Sequence, residues 1–280
     1  MKINEKQKKF VETVWDYYHN HKRDLPWRKT LSPYFIFVSE VMLQQTQVSR
    51  VLIKYPLFIH RFPTFHKLST ASIIDILSVW QGMGYNRRAL YLKKAASILI
   101  DTYKGIVPDD PTILDLLPGI GEATAASIVT FAYNKPTVFI ETNIRRVFIY
   151  HFFKDRRLAL SSVEGLKIED REILPLIEQT LDYSNPREWC WALMDYGSYL
   201  GKKFENSNKK SKHYVIQSKF EGSDRQIRGK ILKLLLENRR TEQEMIEELK
   251  VEKKRAKSIL DSLEKEGFIE KKKDVFVLKS

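Results

Sequence analysis

LPGIGEATAA, from Leu117 to Ala126, sets two glycines around one apolar residue where a helix ending near Leu117 gives way to another starting at Glu122. Such a tight hairpin leaves backbone N–H groups exposed at a helix N-terminus, a geometry that binds phosphate oxygens. Ile120 is placed to anchor the turn in a core, and the small side chains of Ala123, Ala125 and Ala126 allow a second helix to come close. Leu117, Gly119, Ile120, Gly121, Ala123 and Thr124 are therefore candidate contacts to a polyanion. The bland alternative is a plain corner between two helices.

Outward from the hairpin, helical spacing dominates to about residue 200, with Phe10, Val14 and Tyr17 at i, i+4 and i+7 as its first instance. Strand alternation is nearly absent there. Turn signals divide the pattern at Leu31 to Pro33, Gly82 to Gly84, Pro108 to Pro111, Pro118 to Gly121 and Asn185 to Pro186, which predicts an all-α domain of many short helices. From about Gly201 the sequence becomes polar, basic and aperiodic, as a connector does, and a boundary is expected near residue 222. Residues 1–222 and 223–280 are then the two domains. In the second, Ile227, Ile231, Leu234 and Leu235 form one helical stripe, and Thr241 with Glu244 matches a capping box opening a helix through Leu249. A third helix is expected over about Glu252 to Glu266, stopped by Gly267, before a tail that reads as two short strands around a Lys-rich turn. Three helices and a β-ribbon make a small α+β winged helix, whose third helix would lead into a major groove with Lys254 and Arg255. Its lysines also suit a merely solvated face or a protein contact.

Of the 280 residues, 43% are hydrophobic and 30% charged, which allows a sizeable core and argues against wholesale disorder. Lys plus Arg outnumber Asp plus Glu by 48 to 35, a formal charge of +13 that favours a polyanionic partner. The single cysteine, Cys190, excludes an intramolecular disulfide and any cluster needing several thiolates from this chain. The first residues carry no apolar leader core, and no uncharged stretch is long enough to span a bilayer, so a cytoplasmic, nucleoid-associated monomer is expected.

RDLPWR (23–28), SEVMLQQTQV (39–48), WQGMGY (80–85) and the hairpin follow one another in an order and spacing that resembles the MutY-type adenine DNA glycosylases, over about residues 5 to 220. The resemblance implies an all-α helix-hairpin-helix glycosylase fold acting on double-stranded DNA with a mismatched or damaged base. It also implies roles. Glu40 is the general acid at the adenine ring, and Tyr85 is the wedge beside the mismatch. Gln44 and Gln45 fill the space left by the flipped base, and Arg23, Trp27, Arg28 and Leu43 line the base pocket. Cutting a purine N-glycosidic bond requires a flipped nucleotide, a protonated leaving base and a stabilised oxocarbenium-like sugar, and two carboxylates suit the last two tasks.

The second carboxylate departs from the family. Where the signature has aspartate, YNKPTVFIETNIRRV supplies Glu141, followed by Asn143 as a further catalytic candidate. One extra methylene moves a charge by about 1 Å, and misplacement on that scale can cost a hundredfold in rate. Ala123 stands where the family has a hydroxyl residue and strand-cleaving relatives a Schiff-base lysine, so no lyase is expected by that route. Counting the family's cysteine spacing from Asp195 lands on Gly201, Asn208, Ser211 and Gln217, so no iron-sulfur cluster is expected, and a monovalent cation at the hairpin stays open. Lys202, Lys203, Lys209, Lys210, Lys212 and His213 populate that loop instead, with Lys209, Lys210 and Lys212 as DNA contacts. Three readings follow: a monofunctional glycosylase for adenine opposite guanine or 8-oxoguanine or for another base, a non-catalytic binder of distorted DNA, and a regulator using the winged helix.

Overall fold

Prolines and short polar side chains place the helix starts. Asn4 opens the first helix with a capping box to Gln7, Ser72 and Thr64 accept from backbone N–H groups of their first turns, and Pro111 and Pro186 sit at first helical positions, where a missing N–H costs nothing. A computed structural model describes residues 4–154, 167–216 and 219–279. Its helices are α1 (Glu5–His21), α2 (Pro33–Leu43), α3 (Val48–Arg61), α4 (Phe65–Thr70), α5 (Ile73–Trp80), α6 (Arg87–Tyr103), α7 (Pro111–Leu114), α8 (Glu122–Tyr133), α9 (Thr142–Phe152), α10 (Asp170–Thr180), α11 (Pro186–Lys203), α12 (Asp224–Glu237), α13 (Glu242–Leu249) and α14 (Lys253–Lys265). The strands are β1 (Arg240–Thr241), β2 (Ile269–Lys272) and β3 (Val275–Leu278). Among the described residues no helix is long and apolar enough to cross a membrane.

The chain forms two compact units: Met1–Ile36 with Pro108–Leu116 and Gly121–Ile216, and Phe37–Val107 with Leu117–Ile120 and Gln217–Ser280. In the first, α1, α8, α9, α10 and α11 enclose Phe10, Val14, Phe148, Ile173 and Trp189. The inward stripe of α1 is Phe10, Val14 and Tyr18; Tyr17, expected in it, is only half-buried, because four-residue steps follow the buried face more closely than a final three-residue step. Each large apolar side chain so buried contributes about 1.5–3 kcal/mol. α11 packs closely on α9, and two of its glycines explain how. A Cβ on Gly197 would collide with the Asn143 backbone carbonyl, and one on Gly201 would lie 2.6 Å from the Arg146 guanidinium carbon.

In the second unit, α3 to α6 bury Phe58, Leu68, Leu77, Trp80 and Leu92, and the C-terminal residues bury Ile231, Leu260, Leu263 and Phe268. The C-terminal sheet has the order β1-β3-β2 and is antiparallel throughout, with Lys271 opposite Phe276 and Arg240 opposite the same residue from the other side. The expected capping box of Thr241 and Glu244 is present, and Gly267 ends the α14 turn at φ +85°. β1 was not expected, two residues being too short for alternation to show.

Two further expectations change. The stretch from Gly201 is not aperiodic at its start, since α11 continues through Lys203 and places Lys202 and Lys203 in its last turn, where cations complement the helix dipole. A 3-10 turn, Ser207–Lys210, follows, and Ser211 bridges to Ile168 in parallel. The helix before the hairpin also ends at Leu114, three residues short of Leu117.

Candidate functional site

The hairpin backbone is constrained at Gly119. Gly119 has φ +77°, a left-handed conformation, and a Cβ there would stand 2.8 Å from the Tyr91 Cβ, so glycine is required on two counts. Gly121 is the N-cap of α8 without a side chain to cover the first N–H groups. Ile120 is buried as an anchor, and Leu117 is buried too, so any DNA contact it makes is through its backbone. Ala125 and Ala126 are buried for close packing, whereas Ala123 is exposed and takes no part in it; Thr124 is half-buried.

Glu40 lies half-buried in the last two turns of α2, and Leu43 ends the helix. Gln44 donates from Nε2 to the Gly119 carbonyl at 3.0 Å, which joins the end of SEVMLQQT to the hairpin. Gln45 is exposed at φ +49°. The unsatisfied carbonyls at this helix end are taken by Arg88, which donates from Nη1 to Val41 O, Met42 O and Gln44 O at 2.9, 2.9 and 2.6 Å and from Nη2 to Thr46 Oγ1 at 2.7 Å and Gly84 O at 3.3 Å. One guanidinium therefore fixes both the QQT turn and the GMGY turn. Burial lowers its pKa to about 10, which leaves it charged at neutral pH. Tyr85 has φ +46°, and its ring lies 5.6 Å from the Arg88 guanidinium, itself 5.4 Å from Trp80. Arg88 was missed by sequence reading, although its signal was present: it shares the buried stripe of Leu92, Ala95 and Leu99, an odd place for an unpaired arginine.

In the other unit, Glu141 is the N-cap of α9. Its Oε1 accepts from the N–H groups of Asn143 and Ile144, both at 2.8 Å, and Oε2 takes the Asn143 amide at 3.4 Å. The side chain folds back onto the helix N-terminus. Part of the residue's surface reaches solvent, but the carboxyl itself is enclosed. Burial raises its pKa above the ordinary glutamate range against the opposing pull of those two N–H groups, Arg146 and Arg145. Arg146 donates to Asn143 Oδ1 at 2.7 Å and Gly197 O at 2.8 Å, so Asn143 is clamped between its carboxylate and α11. Asn208, buried in the 3-10 turn, donates to Thr142 O at 2.9 Å and pins the start of the same helix.

Arg23 and Arg28 are held by Asp195 of α11. Arg28 donates to both carboxylate oxygens at 2.8 Å, Arg23 adds its backbone N–H at 2.9 Å and its Nε, and Arg28 also lies 5.2 Å over Trp191. Burial acts to raise the Asp195 pKa, but the Arg28 and Arg23 bonds outweigh it and hold the carboxyl below its usual range. Trp27 is buried in a 3-10 turn, Pro26–Arg28.

The basic residues of the loop are engaged inside the protein. Lys209 pairs with Glu205 at 3.1 Å, Lys212 with Glu169 at 3.0 Å, and Lys210 donates to Lys154 O at 2.8 Å at the C-terminal end of α9. Lys254 is exposed, whereas Arg255 is tied to Asp224 Oδ1 at 2.6 Å and Gly222 O at 2.7 Å. Of the four positions reached by the cysteine spacing, Gly201 packs on Arg146, Asn208 and Ser211 are buried in hydrogen-bonded turns, and Gln217 lies outside the described residues. Without thiolates these residues do not fit an iron-sulfur cluster. Cys190, buried with its pKa pushed up to about 12, is an inert thiol.

Residues 38–164 match the family described as HhH-GPD superfamily base excision DNA repair protein. The chain is 33% identical over 241 residues to an adenine DNA glycosylase of Mycobacterium tuberculosis, covering 78% of this chain and 76% of that protein. It is 34% identical over 196 residues to an adenine DNA glycosylase of Buchnera aphidicola, where it covers 68% of this chain but only 52% of the relative. Among solved structures, a thermostable thymine-DNA glycosylase superposes with a TM-score of 0.63 at 25% identity, over 75% of this chain and 94% of that one.

Proposed function

Because the chain belongs to the HhH-GPD superfamily of base excision DNA repair proteins, and within it to the adenine DNA glycosylases, we propose that it hydrolyses the N-glycosidic bond of a flipped adenine mispaired with guanine or 8-oxoguanine. Its partner is double-stranded DNA. Glu40 gives its proton to the leaving adenine, so the electron pair of the bond to C1′ departs with a neutral base. Glu141 stands as the anion that stabilises the cationic sugar, and water completes the exchange at C1′. Tyr85 is the wedge, and Gln44 and Gln45 occupy the vacated space.

The observation that carries this reading is the Glu141 carboxylate, fixed by two backbone N–H bonds of 2.8 Å rather than left to swing. A substitution that ruined the site would leave that group unplaced. The protein works without an iron-sulfur cluster: packing of Gly201 on Arg146 and the Asn208 hydrogen bond to Thr142 hold the start of α9 instead, while Ser211 bridges to Ile168 just before α10. Stoichiometric iron in purified protein would refute this. Single-turnover assays on duplexes with A:8-oxoG, A:G, T:G, U:G and hypoxanthine pairs test the substrate, with adenine release expected from the first two. Binding without release from any of the five would instead make the protein a non-catalytic binder.

A further inference from the structure

The wedge candidate is held from the C-terminal end of the chain. Arg225, in the first turn of α12, donates from Nη1 to the Tyr85 hydroxyl at 2.7 Å and sets its guanidinium 5.6 Å from the ring. Tyr85 has a left-handed backbone that non-glycine residues rarely adopt, and the guanidinium groups of Arg88 and Arg225 each lie 5.6 Å from its ring. Neighbouring bonds keep Arg225 in place. Asp224 binds Arg255 at the start of α14, and Glu266 at the far end of α14 takes both Arg228 at 2.6 Å and Arg87 at 3.0 Å, two residues after Tyr85. The C-terminal residues thus hold the N-terminal end of α6 at two points, Arg225 on Tyr85 and Glu266 on Arg87.

We propose that Arg225 is a positioning residue for base extrusion: it holds the Tyr85 ring ready to enter the stack, and through it the C-terminal residues act at the lesion rather than as a remote tether. This rests on the reading of Tyr85 as the wedge. A guanidinium suits the task because it can donate to the hydroxyl and lie against the ring together, whereas an ammonium retains chiefly the hydrogen bond. The arrangement also sets the basic first turn of α14 one ion pair away from the wedge.

The test uses the full chain and a mismatched duplex in which a non-cleavable adenosine analogue stands beside 2-aminopurine, whose fluorescence rises on unstacking. Wild type is expected to raise the signal and Tyr85→Ala to abolish it. Arg225→Ala and Tyr85→Phe should each slow the rise on the order of tenfold, the double variant should lose no more than either, and Arg225→Lys should recover part. Affinity for an undamaged duplex should change by less than about twofold, since one phosphate contact at most is touched, and thermal melting confirms folding. Arg225→Ala opening the mismatch as fast as wild type, or losses that multiply, would overturn the proposal. So would equal weakening on both duplexes. Opening without adenine release on the natural pair sinks the substrate assignment and leaves Arg225 standing; no signal from wild type removes the wedge and the proposal with it.

Discussion

Glu141 is a carboxylate whose two duties pull in opposite directions. As an electrostatic stabiliser it must be ionised, yet burial favours its neutral form. The ionised fraction falls as pH drops through a raised pKa, so the acid limb of the single-turnover rate is expected above the ordinary glutamate value of about 4.3 and to vanish in Glu141→Gln, whose plateau should be lower by about 3 kcal/mol of activation energy. A pH–rate profile at saturating protein checks both. The stability sign is the reverse: a folded-state pKa above the unfolded one favours folding below the unfolded pKa, and that advantage is lost as pH rises through the folded value. Glu141→Gln, which can still accept at the cap, should therefore melt no lower than wild type at neutral pH. Glu40→Gln keeps the helix and removes the proton, with a loss of about a hundredfold in release and little change in binding expected. Asp195 shows how a structural carboxylate differs. Its oxygens answer two arginines, and Asp195→Asn leaves the buried Arg28 poorly paired, a loss of about 3–5 kcal/mol that calorimetry would register. Glu40 was legible in sequence because its decapeptide is distinctive. Asp195 served only as a counting mark, because nothing local says that residues 167 positions apart meet.

At the scale of elements, legibility follows the range of the cause. Caps, proline starts and the glycine turns are settled by neighbours, and α8, α12 and α13 begin where Gly121, Ser223 and Thr241 place them. The 3-10 turn of Ser207–Lys210 is different: its sequence is polar and aperiodic, and it is ordered by Asn208 reaching α9 and Lys210 reaching the residues after it, partners that periodicity cannot name. The α9–α11 contact lies between these cases. Gly197 and Gly201, one helical turn apart, do mark a close approach, but only the structure shows that Asn143 and Arg146 fill it. Gly197→Ala would force a methyl into the Asn143 carbonyl, beside the Glu141 cap, at a cost of about 1–3 kcal/mol or more. Its expected signature is a lowered melting point together with slower base release, because the same shift that relieves the clash moves Asn143. An unchanged rate at a lowered melting point would separate the packing of α11 from the placement of the carboxylate.

For the whole molecule the question is which of the excess positive charges meet DNA. The formal +13 pointed to a polyanion but not to a place, and the loop lysines that looked best placed are occupied, Lys209 with Glu205, Lys212 with Glu169 and Lys210 with backbone carbonyls. Surface ion pairs of this sort are weak, about 0–1 kcal/mol, yet they offset the charge a phosphate would feel. Lys253, Lys254 and Lys257 at the start of α14 are exposed, and the turn they belong to is joined through Arg255 and Asp224 to the helix that carries Arg225. Each lysine that neutralises a phosphate steepens the fall of log K with log salt by about 0.9. Replacing all three by alanine should therefore flatten that slope by roughly two to three units on mismatched and undamaged duplexes alike, because backbone contacts carry no base information. Replacing Lys209 and Lys212 should flatten it by less than one, since Glu205 is then released and Glu169 keeps only Arg171, leaving more negative charge to repel the backbone. Titrations over a salt series measure both slopes. A triple variant with the wild-type slope would assign the start of α14 to a protein partner, and the larger effect from Lys209 and Lys212 would return the DNA to the loop.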